Sequence, residues 1–192
     1  MKTLSMPFPR KSRKTQEPLT ESALYEYAVG ALARRMRTVA ELRRLMRTRV
    51  EPGETGEAKM TAVIARLRSQ HYLDDRAFAA DYARLRQENS RFGKRRVRQD
   101  LQIKGVESEL ISETLETAYE NVNEEALARE HLERKGIRQP TNDKESARVM
   151  RMLIRAGFST STIYKILRQW NASEEALTAL DNADNLEDPP TL

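Results

Sequence analysis

The chain has 192 residues, of which 33% are charged, with a mean hydropathy of -0.74, a formal net charge of +5 and no cysteine. That composition excludes a thick single core, disulfides and thiol catalysis. No window approaches the roughly 18 apolar residues of a membrane span, and the basic head lacks the apolar run of a secretory signal, so the expected setting is a reducing cytoplasm.

In chain order, residues 1–18 read as a disordered basic arm punctuated by Pro7, Pro9 and Pro18. Thr20 is the N-cap of a first helix, with Leu24, Tyr27, Ala28, Ala31 and Leu32 at helical spacing. Thr38 to Glu41 has the form of a capping box and opens a second helix with Leu42, Leu45 and Met46 on one stripe. Glu51 to Gly56, with Pro52 and Gly53, reads as a loop before a third helix over about 57–70. These elements form a three-helix repeat over 19–73. A second repeat spans 74–122. Asp74-Asp75 caps its first helix, where Phe78, Tyr82 and Leu85 share a face, and residues 90–93 break it. A basic helix follows, Gly105 stops it, and Leu110, Ile111, Leu115 and Tyr119 mark the next. The third repeat, 123–170, starts near Asn123, carries Leu127 and Leu132, ends its first helix at Gly136 and turns at residues 139–142. Residues 171–192 hold six acids and no base and read as an acidic flexible tail.

The repeats are visible as self-similarity. At one constant offset Val97 falls over Val149, Leu101 over Leu153, Gly105 over Gly157, Val106 over Phe158, Ile111 over Ile163 and Leu115 over Leu167. No alternating run of strand type has useful length. The predicted fold is all-α, an elongated curved array of three tandem three-helix repeats, each too small to bury enough apolar area alone.

Signatures of catalysis are missing. His71 and His131 stand in no metal-ligand spacing, and the glycines form neither GxxxxGK[ST] nor GxGxxG. Asp74 and Asp75 are adjacent at a helix start and do not converge on one centre. The tyrosines and Trp170 could stack on bases, but most lie on apolar stripes, which favours core packing; Tyr25 lies off its stripe and is the least constrained. The reading is a non-enzyme with no cofactor and no metal.

Charge is the stronger signal, because its signs are segregated. Residues 34–49 hold seven arginines against Glu41, and residues 91–104 hold six bases against Asp100. Residues 105–131 hold eight glutamates against Arg129. Arg44 and Arg47 lie one turn apart, Arg95, Arg98 and Gln102 share a helical face, and Arg148, Arg151 and Arg155 fall at i, i+3, i+7. Such runs on the same helix of each repeat suit a polyanion, and arginine suits bidentate phosphate or carboxylate contacts.

Three blocks carry a resemblance to a known family. Leu32 to Leu45 resembles the pattern LxxRxxSxxELxxKL, with Thr38 where serine is usual. His71 to Ala79 resembles GYLDDxxFA, with His71 in place of the usual glycine. Gly93 to Val106 resembles GxxRxxxELxxKGI, without the proline that often follows the first glycine and with Asp100 for the glutamate. Together they resemble the RecX family, regulators of the RecA recombinase, over about residues 20–170. The resemblance implies tandem three-helix repeats and a partner that lies in the groove of the RecA–DNA filament; the chain is expected to be a monomer. It implies restraint of ATP hydrolysis, strand exchange and co-protease activity, with weak, non-specific contact to single- and double-stranded DNA. The basic face would be Arg43, Arg44, Arg47, Lys94, Arg95, Arg98, Arg148, Arg151 and Arg155. Two other readings compete: a DNA-binding transcription regulator of helix-turn-helix type, for which a loop over 51–56 is long, and a helical scaffold for acidic proteins.

Overall fold

Side-chain caps set most of the helix starts. Thr20 accepts from Ala23 N at 3.3 Å and opens α1 (Glu21–Arg34). Thr38 and Glu41 close the reciprocal box of α2 (Val39–Met46), with Glu41 N on Thr38 Oγ1 at 3.0 Å and Thr38 N on Glu41 Oε2 at 3.4 Å. Helix α3 spans Glu54–Ser69. Asp74 accepts from Arg76 N and Ala77 N and opens α4 (Asp75–Ser90). Helices α5 (Lys94–Ile103) and α6 (Ser108–Tyr119) follow. Asn123, Asn142 and Ser159 then cap α7 (Glu124–Arg134), α8 (Asp143–Arg155) and α9 (Thr160–Gln169). This computed structural model describes residues 17–170, which hold these nine helices and no strand. Most of the basic arm and all of the acidic tail lie outside the described residues.

The chain divides into two compact units. In the first, residues up to 35 together with 42–72, α1 packs on α3 and the buried side chains are Leu24, Ala28, Ala31, Leu42, Met46, Met60, Val63, Ile64 and Leu67. Helix α3 begins one turn earlier than the glycines suggest. Gly56 lies inside the helix, and a Cβ there would sit 2.0 Å from Glu51 O. This glycine admits a close backbone approach and is no loop residue, so the loop is shorter than 51–56. His71 closes the helix in the left-handed region, at φ 60, while Tyr72 N bonds Leu67 O at 3.0 Å. That is the C′ seat glycine normally fills. Tyr25 is well held in this unit, with Arg66 3.9 Å from its ring centroid and its hydroxyl donating to Gln70 Oε1.

The second unit takes in residues 36–41 and everything from Leu73 onward. It contains two cores. One gathers Phe78, Ala79, Ala83, Val97, Leu101, Val106, Ile111 and Leu115. The other gathers Leu127, Ala128, Leu132, Val149, Met150, Leu153, Ala156, Phe158, Ile163, Ile166 and Leu167. Phe92 and Tyr119 pack against both, and Tyr119 donates to Phe92 O at 2.8 Å. The face expected of Phe78, Tyr82 and Leu85 shifts: Leu85 is 45% exposed, and Ala79 and Ala83 take the inner positions.

The repeat holds at the level of single hydrogen bonds. Gly105 and Gly157 both adopt positive φ, and Val106 N to Leu101 O (3.1 Å) matches Phe158 N to Leu153 O (3.2 Å). The junctions repeat as well. The start of α2 meets the end of α5: the fully buried Thr38 donates to Lys104 O at 2.6 Å, and a Cβ on Gly105 would fall 2.4 Å from Ala40 Cβ. The start of α5 meets the end of α8: Gly93 N donates to Ala156 O at 2.8 Å and Arg95 N to Gly157 O at 3.2 Å. A Cβ on Gly93 would lie 2.2 Å from Gly157 O, and one on Gly157 would lie 2.1 Å from Arg96 N. Asp75 shows why adjacent carboxylates need not converge. Asp74 caps its own helix, while Asp75 accepts from Val39 N at 2.9 Å at the head of α2.

Candidate nucleic-acid interface

Amphipathicity places the arginines of α8. Val149, Met150 and Leu153 bury one stripe, and the 3.6-residue period turns Arg148, Arg151 and Arg155 outward, where all three are exposed. They border a cleft of about 710 Å³ with Phe92, Arg96, His131, Lys135, Met152 and Ala156. No ion pair joins Arg151, Arg155 or Lys135 to a carboxylate of the described residues. Arg148 feels the nearby Glu145, whose own carboxyl is held below its ordinary value chiefly by the Thr141 backbone and hydroxyl.

Helix α5 splits its bases between two places. Lys94, Arg95 and Arg98 line a separate cleft of about 390 Å³ with Tyr119, Val122, Glu124 and Ser159. Glu124 is committed there: it accepts from Ser159 N (2.9 Å), Ser159 Oγ (2.5 Å) and Thr162 Oγ1 (2.6 Å). Arg98 donates to Ser112 Oγ at 3.2 Å. Arg96 instead joins the α8 cleft. Its Nε bonds Asp100 Oδ1 at 3.0 Å, its Nη1 approaches Arg155 O at 3.5 Å, and its guanidinium sits 5.6 Å from the Phe92 ring centroid.

In the first unit Glu57 bridges Arg43 (2.8 Å) and Arg47 (3.3 Å), while Arg44 is exposed. Both pairs are substantially open to water, so each contributes no more than about 1 kcal/mol and yields readily to a competing phosphate.

The bases singled out from sequence thus fall into three groups, and those of α5 and α8 do not line one cleft. Sequence reasoning left Arg96, Lys135, Phe92 and His131 out of the basic face. Arg96 sits one residue from the Arg95–Arg98 face, which turns it about a third of a revolution away. The close approach of Gly93 to Gly157, with the bonds from Gly93 N to Ala156 O and from Arg95 N to Gly157 O, brings it to Arg155. His131 Nδ1 lies 3.0 Å from Ser90 O, an acceptor, so that nitrogen carries the proton. Burial holds its imidazole below the ordinary value, Lys135 and Arg134 press the same way, and the bond to Ser90 opposes them. Among the described residues no three His, Asp or Glu side chains are grouped to hold a metal, and no helix is long and apolar enough to cross a membrane.

The fold and the cleft define a class: an all-α protein of tandem three-helix units bearing arginine-rich surfaces. Family models described as RecX, second three-helix domain, and RecX, third three-helix domain, match residues 74–115 and 123–167. A regulatory protein RecX of Cronobacter sakazakii is 34% identical over 157 residues, covering 78% of this chain and 93% of that protein. One of Mycolicibacterium smegmatis is 32% identical over 167 residues, covering 84% and 87%. One of Geobacillus thermodenitrificans is 31% identical over 156 residues, but the chain spans only 55% of its length. A crystal structure of regulatory protein RecX superposes with a TM-score of 0.62 at 25% identity, covering 78% of this chain and 71% of the other. The chain belongs to the RecX family of regulatory proteins.

Proposed function

We propose that the chain is a non-enzymatic regulator that binds the RecA–DNA filament and restrains its ATP hydrolysis, strand exchange and co-protease activity, acting in the cytoplasm as a monomer. Family membership supports RecA as the partner. The observation that carries the reading is that Arg151, Arg155 and Lys135 surround one cleft with no ion pair to a carboxylate among the described residues. Such cations gain from a polyanion, because each phosphate they neutralise releases condensed counterions. Arg43, Arg44, Arg47, Lys94, Arg95, Arg98 and Arg148 extend the basic surface, with DNA contacts that are weak and indifferent to sequence.

The test is a titration into preformed RecA filaments, following DNA-dependent ATP hydrolysis. Stoichiometric addition slows hydrolysis. Unchanged hydrolysis at saturating protein refutes the proposal. Arg95→Glu with Arg98→Glu and, separately, Arg151→Glu with Arg155→Glu rank the two clefts: each pair weakens inhibition if its cleft faces the filament.

A further inference from the structure

We propose that the cationic rim beside α8 is the docking site of the chain's own acidic segment, residues 171–192, laid along Arg148, Arg151 and Arg155, so that an outside polyanion must displace it. The proposal goes beyond the functional reading by naming an internal occupant, and it is measured without RecA, so either can fail alone.

The point where the segment leaves the fold gives the first half. Trp170, just past α9, packs against the core that holds Val149 and Leu153, and its carbonyl accepts from Gln139 Nε2 at 3.1 Å. Gln139 lines a cleft of about 290 Å³ with Arg138, Arg148 and Met152. Arg148 and Met152 also line the cleft of about 710 Å³, with Lys135, Arg151 and Arg155. The chain therefore departs beside a basic channel made of two adjoining clefts. Glu174 is four residues beyond Trp170, within about 14 Å of it on an extended chain. Arg148 to Arg155 spans about 10.5 Å along the helix axis. The stretch from Glu174 to Asp188 is ample to run that length.

Charge gives the second half. The segment holds Glu174, Glu175, Asp181, Asp184, Glu187 and Asp188 and no base. Lys135, Arg138, Arg151 and Arg155 make no ion pair with a carboxylate of the described residues, and no carboxylate lines the larger cleft. Glu145, in the smaller cleft, is engaged by Thr141 N at 2.8 Å and Thr141 Oγ1 at 3.0 Å. Other arginines are already answered within the fold. Glu57 holds Arg43 and Arg47, Glu113 holds Arg76, Asp81 and Glu88 hold Arg84, and Glu124 stands in the cleft of Lys94 and Arg98. The cleft's depth suits carboxylates too. Ala156 and His131 are each 3% exposed, so the floor is shut and a ligand stays among the guanidinium groups. Single exposed ion pairs are weak. A tether of a few residues gives an effective concentration of about a millimolar, which lets several weak pairs act together.

The experiment puts a nitroxide on Ala183→Cys, in a chain with no other cysteine, and reads the amide NMR signals of the full chain. At low salt, signals of residues 148–155 in α8 should lose about half their intensity and those of 80–87 in α4 little, and the loss should vanish at about 1 M salt, where screening acts within about 3 Å. Glu174→Gln, Glu175→Gln, Asp181→Asn, Asp184→Asn, Glu187→Gln and Asp188→Asn together should abolish the loss and tighten binding of inorganic polyphosphate about tenfold at low salt. Arg151→Gln with Arg155→Gln should reduce the loss by about half with the segment intact. Absence of loss in α8, equal loss in α4, loss that survives high salt or the six amides, or polyphosphate affinity unchanged by the amides would each overturn the proposal. So would loss on an isotope-labelled chain mixed with a separate spin-labelled one, because the segment would then reach a second copy.

Discussion

Replacing Gly93 with alanine isolates the contact that joins α5 to α8. Gly93 has φ −72, which any residue adopts, so the substitution brings no backbone strain of its own. The added Cβ would stand 2.2 Å from Gly157 O, 2.5 Å from Gly157 C and 2.8 Å from Phe158 N. All three are main-chain atoms, so no flexible side chain can swing aside and the two helix ends must separate. Separation stretches Gly93 N to Ala156 O and Arg95 N to Gly157 O, each contributing about 1 kcal/mol net. Overpacking adds about 1–3 kcal/mol. The total, about 3–5 kcal/mol, is a large part of an ordinary domain's stability of about 5–15 kcal/mol. Gly30→Ala in α1 is the control: nothing lies within 4 Å of its Cβ, and alanine in a helix interior adds about 0.5–1 kcal/mol. Urea unfolding followed by far-UV circular dichroism reads both. If Gly93→Ala unfolds at the wild-type midpoint, the close approach is wrong, and with it the placement of Arg96 beside Arg155.

Thr38→Val removes a fully buried hydroxyl that caps Glu41 N and donates to Lys104 O, and should lower stability by about 2 kcal/mol, whereas Thr38→Ser stays near wild type by the same urea assay. Glu124→Gln exchanges a carboxylate that accepts three hydrogen bonds for an amide with one acceptor oxygen, and should cost about 1–3 kcal/mol in the same measurement. His131 has a lowered folded-state value, so the unfolded chain binds its proton more readily. Its contribution is therefore complete above about pH 6.5 and is lost as pH falls from there through the folded value. Unfolding midpoints across that window should decline for wild type, and His131→Gln should flatten the decline.

The helices and their order were legible because their signals are local. Thr20, Thr38, Asp74 and Asn123 each cap the helix they precede, and the offset of Leu101 with Leu153 and Gly105 with Gly157 survives as matched hydrogen bonds. Gly56 misled because glycine reports backbone freedom without saying what uses it; here the user is Glu51 O, not a turn. The candidate site was half legible for a related reason. Periodicity groups Arg148, Arg151 and Arg155 on one helix, and the structure keeps them on one cleft. It does not say which bases of another helix join them. That choice is made by Gly93 against Gly157, two residues far apart in sequence with no side chain to advertise the meeting. Lys135 and Phe92 enter the cleft from a helix end and a connector, where no period applies.

The joint between α5 and α8 is assembled from amides and carbonyls, while the rim beside it is made of guanidinium and ammonium groups. Salt screens the second and barely touches the first. Grip and scaffold therefore answer to different variables: raising ionic strength should strip a charged guest from the rim while the two helix ends stay locked. A protein wired this way would release a bound polyanion without softening, and binding curves taken over a wide range of salt would report attachment alone.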